Sequence, residues 1–347
     1  MALPAASGQA EPFLTSERLP VSNPLTAVTA IGESLIDVIV GSAEAPSTEH
    51  PGGSPMNIAL GLARLNRPVA LVTHIGNDAR GASIAEHLRD AGVTLAFGSI
   101  RNEPSSTATA YLGADGSAQY VFDLRWSLPC GLSVEDPILA GSDIVHVGSI
   151  GAFLEPGGSA VVSLLRQLVD SERPHLICFD PNMRPSIVTD HGAALARFER
   201  IAALAAVVKL SDEDAEWLYP ELGLEAAIEH ILRFGVGLVT VTLGSAGALL
   251  ATRSLRMTVP GVAVEVADTI GAGDSFMSAL IDFIAELRDE GVSAEALRNG
   301  HAFDAALLTD IGEYAVRCAA ITVSRPGANP PTRREIGYPH RGSHVSQ

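Results

Sequence analysis

Cysteine is scarce in this chain of 347 residues: Cys130, Cys178 and Cys318 stand far apart and are odd in number. They offer neither a disulfide framework nor a zinc spacing and read as buried, reduced thiols. Long apolar runs are missing as well. The longest candidate, around Ile201 to Val208, falls well short of the ~20 residues that span a bilayer, so no membrane partner is expected. Net positive charge is absent, the formal charge being -17. That argues against nucleic-acid binding, which rewards basic surfaces. Any polyanionic ligand must then be held by local donors and a metal ion, against the global field. Residues 1–26 lack the basic start and apolar centre of a signal peptide, so a loose tail and a cytoplasmic protein are expected. There is no internal repeat of 20–50 residues and no Gly-x-x-x-x-Gly-Lys phosphate loop.

What the chain does have is apolar material: 47% hydrophobic against 18% charged residues. That suffices for a large core, in one α/β domain or one domain with a small appendage. Short β-branched runs at Thr26 to Ile31, Val69 to Thr73, Asp143 to Val147, His175 to Phe179, Ala206 to Leu210 and Leu238 to Leu243 read as buried strands. Helical patterns follow several of them, at Met56 to Leu65, Ala82 to Ala91, Gly158 to Val169 and Asp212 to Leu218. Alternation of this kind predicts a mostly parallel sheet covered on both faces, with ligands at the carboxyl ends of its strands. Two segments break the rhythm. Leu35 to Val40 is a second strand directly after the first, and Thr107 to Leu124 alternates around Ala114-Asp115-Gly116, a hairpin signal. Both fit a small sheet standing off the body as a lid.

The strongest chemical signal is Asp268-Thr269-Ile270-Gly271-Ala272-Gly273-Asp274. It sets a turn poor in side chains before an apolar stripe at Phe276, Met277, Leu280, Ile281, Ile284 and Leu287. A helix start presents unpaired N–H groups and a partial positive charge, and glycines leave both open to an anion. A carboxylate fixed there can take a proton from a hydroxyl attacking phosphorus. The plainer reading is an ordinary capped helix start. Other segments carry the same ambiguity. Gly52-Gly53-Ser54-Pro55-Met56-Asn57 is a plain turn with a Ser cap, or a sugar-binding turn in which Asn57 donates and accepts. Asp37 upstream is a surface carboxylate, or a grip on neighbouring hydroxyls. Asp180-Pro181-Asn182-Met183-Arg184-Pro185 is a rigid connection, or a loop whose Arg184 clamps phosphate. Lys209-Leu210-Ser211-Asp212-Glu213-Asp214 is a helix start favoured by the dipole, or carboxylates that organise Mg²⁺. Thr242-Leu243-Gly244-Ser245-Ala246-Gly247 ends a strand where a nucleotide would touch.

Taken in order, these motifs resemble the ribokinase-like (PfkB) carbohydrate kinases from about Ala27 to Pro330, most closely the fructokinase and small-sugar kinase branch. Arg325-Pro326-Gly327-Ala328 matches that branch's closing signature. The resemblance implies a three-layer α/β/α core with a mostly parallel sheet and a small β-sheet lid, formed by strands at about 33–50 and 98–127, with a C-terminal tail at 331–347. It implies Asp274 as the base and the N–H groups of Gly271, Ala272 and Gly273 as the anion hole, with Arg184 near the transferred phosphate. Asp37, Gly52, Gly53 and Asn57 fall where sugar hydroxyls bind. Lys209, Thr242, Gly244, Gly247 and Gly273 fall on the nucleotide side. Asp268 and the Ile270 carbonyl match ligands of a monovalent cation, usually K⁺, and Asp214 an indirect ligand of Mg²⁺.

The expected reaction is ATP-dependent phosphorylation of a sugar, with a homodimer formed through the lid. A nucleoside, 2-keto-3-deoxygluconate or a sugar phosphate are the rival acceptors, and a non-catalytic binding protein is the rival class. The candidates for stacking a nucleoside base are Tyr111, Tyr120, Phe122 and Trp126, and for holding a sugar phosphate, Arg101 and Arg125. The chain departs from the family pattern at Ser211 and Asp214, where Asn and Glu are common, and at Val316, where Asn often lies beside adenine.

Overall fold

A computed structural model describes residues 25–41, 46–112 and 118–337. The expected strands form at Val28–Ile31, Val69–Val72, Ile144–Gly148, Leu176–Asp180, Val207–Ser211 and Leu238–Thr242, each nearly or fully buried, as the continuous apolar runs require. They belong to a sheet of nine strands. From Leu238–Thr242 at one end to the short edge strand Thr94–Leu95 at the other, all neighbours run parallel. Two antiparallel strands, Gly247–Ala251 and Arg256–Pro260, extend the opposite edge.

Helices cover both faces. On one side lie Gly157–Asp170, His191–Ala202 and Leu224–Arg233, whose apolar faces join one core cluster. On the other lie Ser54–Arg64, Ala272–Asp289 and Ala305–Val323. No helix among the described residues is long and apolar enough to cross a membrane.

Ala272–Asp289 differs from the one-faced helix that its stripe predicts. It is wedged between Ser54–Arg64 and Ala305–Val323, and every residue from Asp274 to Leu287 is buried. Its buried carboxylates Asp282 and Glu286 are therefore paired. Asp282 accepts from Arg67 Nε at 3.0 Å and Tyr314 Oη at 2.8 Å, and Arg333 binds both Asp282 and Glu286. A buried carboxylate needs such partners, since an uncompensated charge in the interior is costly.

Arg333 also shows that the packed body continues past the boundary expected at residue 330. The Arg333–Ile336 helix is capped by Thr332 and seats Ile336 in the core, so 331–337 is not a tail. Residues 338–347, the segment 1–24 and the Ala114-Asp115-Gly116 turn lie outside the described residues. Cys178 and Cys318 are buried as expected. Cys130 is exposed, because it sits in an irregular turn beside Gly131 and not in an element of the core.

The lid is a four-stranded sheet in the order Thr48–Gly52, Leu35–Val40, Ser106–Leu112, Ala118–Asp123. Ile100–Arg101, within the segment expected to join it, pairs instead with Ile75–Gly76 in a separate two-stranded ribbon. The chain crosses from the core strand into the lid through Gly32-Glu33-Ser34 and returns through Gly52-Gly53 into the Ser54–Arg64 helix. The two crossings touch: a Cβ on Gly53, which has φ +112°, would stand 2.8 Å from the Glu33 carbonyl oxygen. Lid and helix mouth are thereby held side by side.

Candidate active site at the carboxyl edge of the sheet

The helix start at Ala272 is built as the bare glycines suggest. Gly271 adopts φ +76°, a conformation that costs other residues strain, and caps the helix without a side chain. The turn is braced by Asp268, whose Oδ1 accepts the Ile270 N–H at 3.0 Å and whose Oδ2 accepts the Gly327 N–H at 2.9 Å. The closing Arg325-Pro326-Gly327-Ala328 segment thus packs behind the helix mouth. The first N–H groups of the helix have no intrahelical acceptors, and their end of the dipole is positive.

Asp274 lies at this mouth, 9% exposed. Ser54 Oγ donates to its Oδ1 at 2.6 Å and Asn57 Nδ2 to its Oδ2 at 2.8 Å, so both carboxylate oxygens are held by the helix that follows Gly52-Gly53. The structure therefore joins two motifs more than 200 residues apart. A third arrives from the sheet. Lys209, buried in the middle of its strand, places Nζ 2.9 Å from Asp180 Oδ2, and a Cβ on Gly273 would stand only 3.1 Å from that nitrogen. The ammonium thus reaches the helix mouth itself. Burial pushes the Asp180 carboxyl up to about 6, with Lys209 opposing the rise. Burial works against the charge of Lys209, but the attraction of Asp180, then Asp214 and Asp274, outweighs it and holds the lysine above its ordinary value.

Asp37 sits on the lid strand beside Gly52, where any side chain would collide: a Cβ on Gly52 would be 2.2 Å from Asp37 Oδ2. Burial raises the Asp37 carboxyl to about 6, with His50, its neighbour across the strands, pulling the other way. Asp214 accepts from Met183 N at 2.8 Å and Ser211 N at 2.9 Å, clamping the 181–185 loop to the Asp212–Leu218 helix. Arg184 is exposed on that loop and donates to the Met183 carbonyl at 2.9 Å, so no hydrogen bond joins it to the helix mouth.

On the far side of the mouth opens a cleft of ≈ 490 Å³. Thr242, Gly244 and Gly247 line one wall, Val316, Ala320 and Val323 the other, and Ala272 and Gly273 lie at its inner end. All the expected nucleotide-side residues except Lys209 line it, and the Lys209 ammonium reaches Gly273 at its edge. Two functional candidates escape sequence reasoning. Ser54 reads there as a cap, yet Gly53 is the cap residue and Ser54 bonds Asp274. Glu33, 4% exposed, accepts from Gly151 N at 2.7 Å, and only its place directly before the lid strand hints that it is special.

A carboxylate beside an anion-receptive helix end, with a nucleotide-sized cleft on one side and a lid on the other, suits phosphoryl transfer to an alcohol. The fold carrying it is that of the ribokinase-like kinases. Residues 25–334 match the pfkB family carbohydrate kinases, and the chain belongs to that family, as a phosphotransferase with an alcohol acceptor. It is similar to a fructokinase of Rhizobium leguminosarum bv. trifolii, 31% identical over 284 residues, or 79% of this chain and 86% of the relative. Among solved structures it is similar to the fructokinase of Vibrio cholerae O395 with fructose, ADP and calcium ion bound, at 28% identity and a TM-score of 0.74, covering 90% of this chain and 98% of the other. A double mutant of that enzyme, with fructose, ADP and potassium ion bound, gives the same identity and TM-score over 90% and 97%.

Proposed function

We propose that the chain transfers the γ-phosphoryl group of ATP to the primary hydroxyl of a free sugar, with fructose the first acceptor to test. The observation that carries this reading is Asp274 between Ser54 and Asn57 at a helix start that no side chain caps, with Lys209 beside Gly273. The sugar lies between the lid and that mouth, its hydroxyls bonded to Asp37 and Asn57, with Gly52 and Gly53 giving it room. Asp274 takes the hydroxyl proton as the new O–P bond forms and the bond to the β-phosphate breaks. Transfer of this kind passes through a loose transition state, so the protein's task is positioning and charge stabilisation. The N–H groups of Gly271, Ala272 and Gly273 and the Lys209 ammonium meet the charge on the transferred group. Lid closure limits hydrolysis by excluding water.

The residues present fit the expected ions. Mg²⁺ would supply charge neutralisation between the phosphates, and it tolerates indirect binding through water. That suits Asp214, whose oxygens already accept main-chain N–H groups. Asp268 and the Ile270 carbonyl offer oxygen ligands suited to K⁺ in a braced turn. Exposed Ile39, Tyr111, Tyr120 and Val121 on the lid support a homodimer through that sheet.

The lid favours a free sugar over the larger acceptors. Arg101 is bonded to Ser127 and the Gly98 carbonyl, and Arg125 is paired with Asp123, which leaves neither poised for a sugar phosphate. Trp126 is buried with its Nε1 on the Gly151 carbonyl at 2.7 Å, and Tyr120 stacks on Phe122, so these rings are engaged and do not frame a base site. An ADP-release assay with ATP, Mg²⁺, K⁺ and a panel of free sugars tests the reading. Sugar-dependent release is expected, strongest with fructose; absence of it with every sugar sinks the proposal.

A further inference from the structure

Serine at a helix start ordinarily caps it, its hydroxyl accepting a backbone N–H. Ser54 does not. The cap position of the Ser54–Arg64 helix belongs to Gly53, which brings no side-chain bond, and the Ser54 hydroxyl instead spans 220 positions of sequence to Asp274. At 2.6 Å the contact has the length of a hydrogen bond between a hydroxyl and a carboxylate, the same one that an acceptor alcohol must make to its base. Asn57 holds the other oxygen at 2.8 Å. Each oxygen of the base therefore has a protein donor, and the donor on Oδ1 is itself a hydroxyl.

We propose that Ser54 is a positioning residue that guards Asp274, occupying the acceptor's place on Oδ1 until the sugar hydroxyl displaces it. The inference rests on the kinase reading above, in which Asp274 is the base. A kinase with ATP bound and no sugar faces a specific hazard. A water on Asp274 would lose its proton to the carboxylate while its oxygen bonds to the γ-phosphorus and the bond to the β-phosphate breaks, giving ADP and free phosphate. A serine hydroxyl in that place denies the water its base.

The test compares the wild type with Ser54→Ala and Ser54→Thr, measuring ADP release with ATP and Mg²⁺, with and without the best acceptor sugar. Thermal melts establish that each variant is folded. Losing a hydrogen bond to a charged group changes an equilibrium by roughly ten- to a hundredfold. Ser54→Ala is therefore expected to raise the ratio of sugar-independent to sugar-dependent release by about that factor, and Ser54→Thr, which keeps the hydroxyl, to restore it. A merely structural role would lower both rates together and leave the ratio alone. An unchanged ratio in Ser54→Ala, or a ratio as high in Ser54→Thr, overturns the guard. So does phosphate from labelled ATP bound covalently at Ser54, which would make it a nucleophile. A wild type without sugar-dependent release overturns the kinase reading and the guard together, whereas an active wild type with an unmoved ratio overturns the guard alone.

Discussion

Gly271 and Ala328 are in contact: a Cβ built on Gly271 would stand 2.7 Å from the Ala328 methyl carbon. The closing segment of the chain thus forms the back wall of the turn that opens the Asp274 helix, with the Asp268–Gly327 bond fastening the two. Gly271→Ala meets that wall and must also adopt φ +76°. It is expected to cost about 1–3 kcal/mol of stability, the range for a strained backbone position, and to lower kcat by displacing the first N–H groups. Thermal melts and turnover check both effects. A variant as stable and as active as the wild type would show that the turn is not constrained.

Asp274→Asn keeps the shape of the side chain and removes its ability to take a proton. An expected fall in kcat of about 10²–10⁴ is the usual range for a general base. Sugar affinity, measured by calorimetry, is expected to change little, because on the proposed reading the sugar's other hydroxyls rest on Asp37 and Asn57. Retention of most of the turnover would show that the proton leaves by another route.

Lys209→Met removes the partner of a carboxylate that is 1% exposed. Asp180 then keeps the Asn182 N–H but no countercharge at pH 8, and a loss on the order of 3–5 kcal/mol is expected. The pH dependence has a definite sign. The Asp180 carboxyl is already raised to about 6, and loss of Lys209 raises it further, so at pH 5 the variant holds the group neutral. The deficit in denaturation experiments should accordingly shrink from pH 8 to pH 5. A deficit independent of pH would locate the effect in packing instead.

The layout of the molecule was largely legible, because buried parallel strands advertise themselves as continuous apolar runs and helices by their periodicity. The six strands read from sequence occur with ends displaced by at most two residues. Edge elements were not legible. Thr94–Leu95 is two residues long, and Arg256–Pro260 is half exposed with no apolar run to reveal it. In the site, glycine-rich turns pointed correctly to the places where backbone approaches a neighbour, as at Gly52, Gly53 and Gly271. The bonds between distant motifs stayed hidden. Nothing in the order of residues says that Ser54 would face Asp274, or that Lys209 would bring its ammonium to Gly273. Arg184 shows the converse: its motif places it at the end of the right strand, while its guanidinium bonds to its own loop.

Glu33 offers a last test, because it is a buried carboxylate at the crossing between core and lid. Burial raises its carboxyl from 4.5 to about 7, against the hydrogen bonds of its own backbone, Ser149 and Gly151, while Asp274 adds a smaller push in the same direction. The folded protein therefore holds a proton on Glu33 across a window, from about 4.5 to 7, in which the unfolded chain has released it. Stability from this group is fully present below the window, falls as pH rises through it and is level above. Glu33→Gln imitates the protonated form and does not titrate. Two and a half pH units correspond to about 3 kcal/mol, from which about 1 kcal/mol is lost where the new amide faces a donor. The variant is expected to be the less stable of the two by up to about 1 kcal/mol at pH 4.5 and the more stable by about 2 kcal/mol at pH 8. Parallel curves across that range would mean that Glu33 is ionised throughout, held by the Gly151 and Ser149 donors despite its burial.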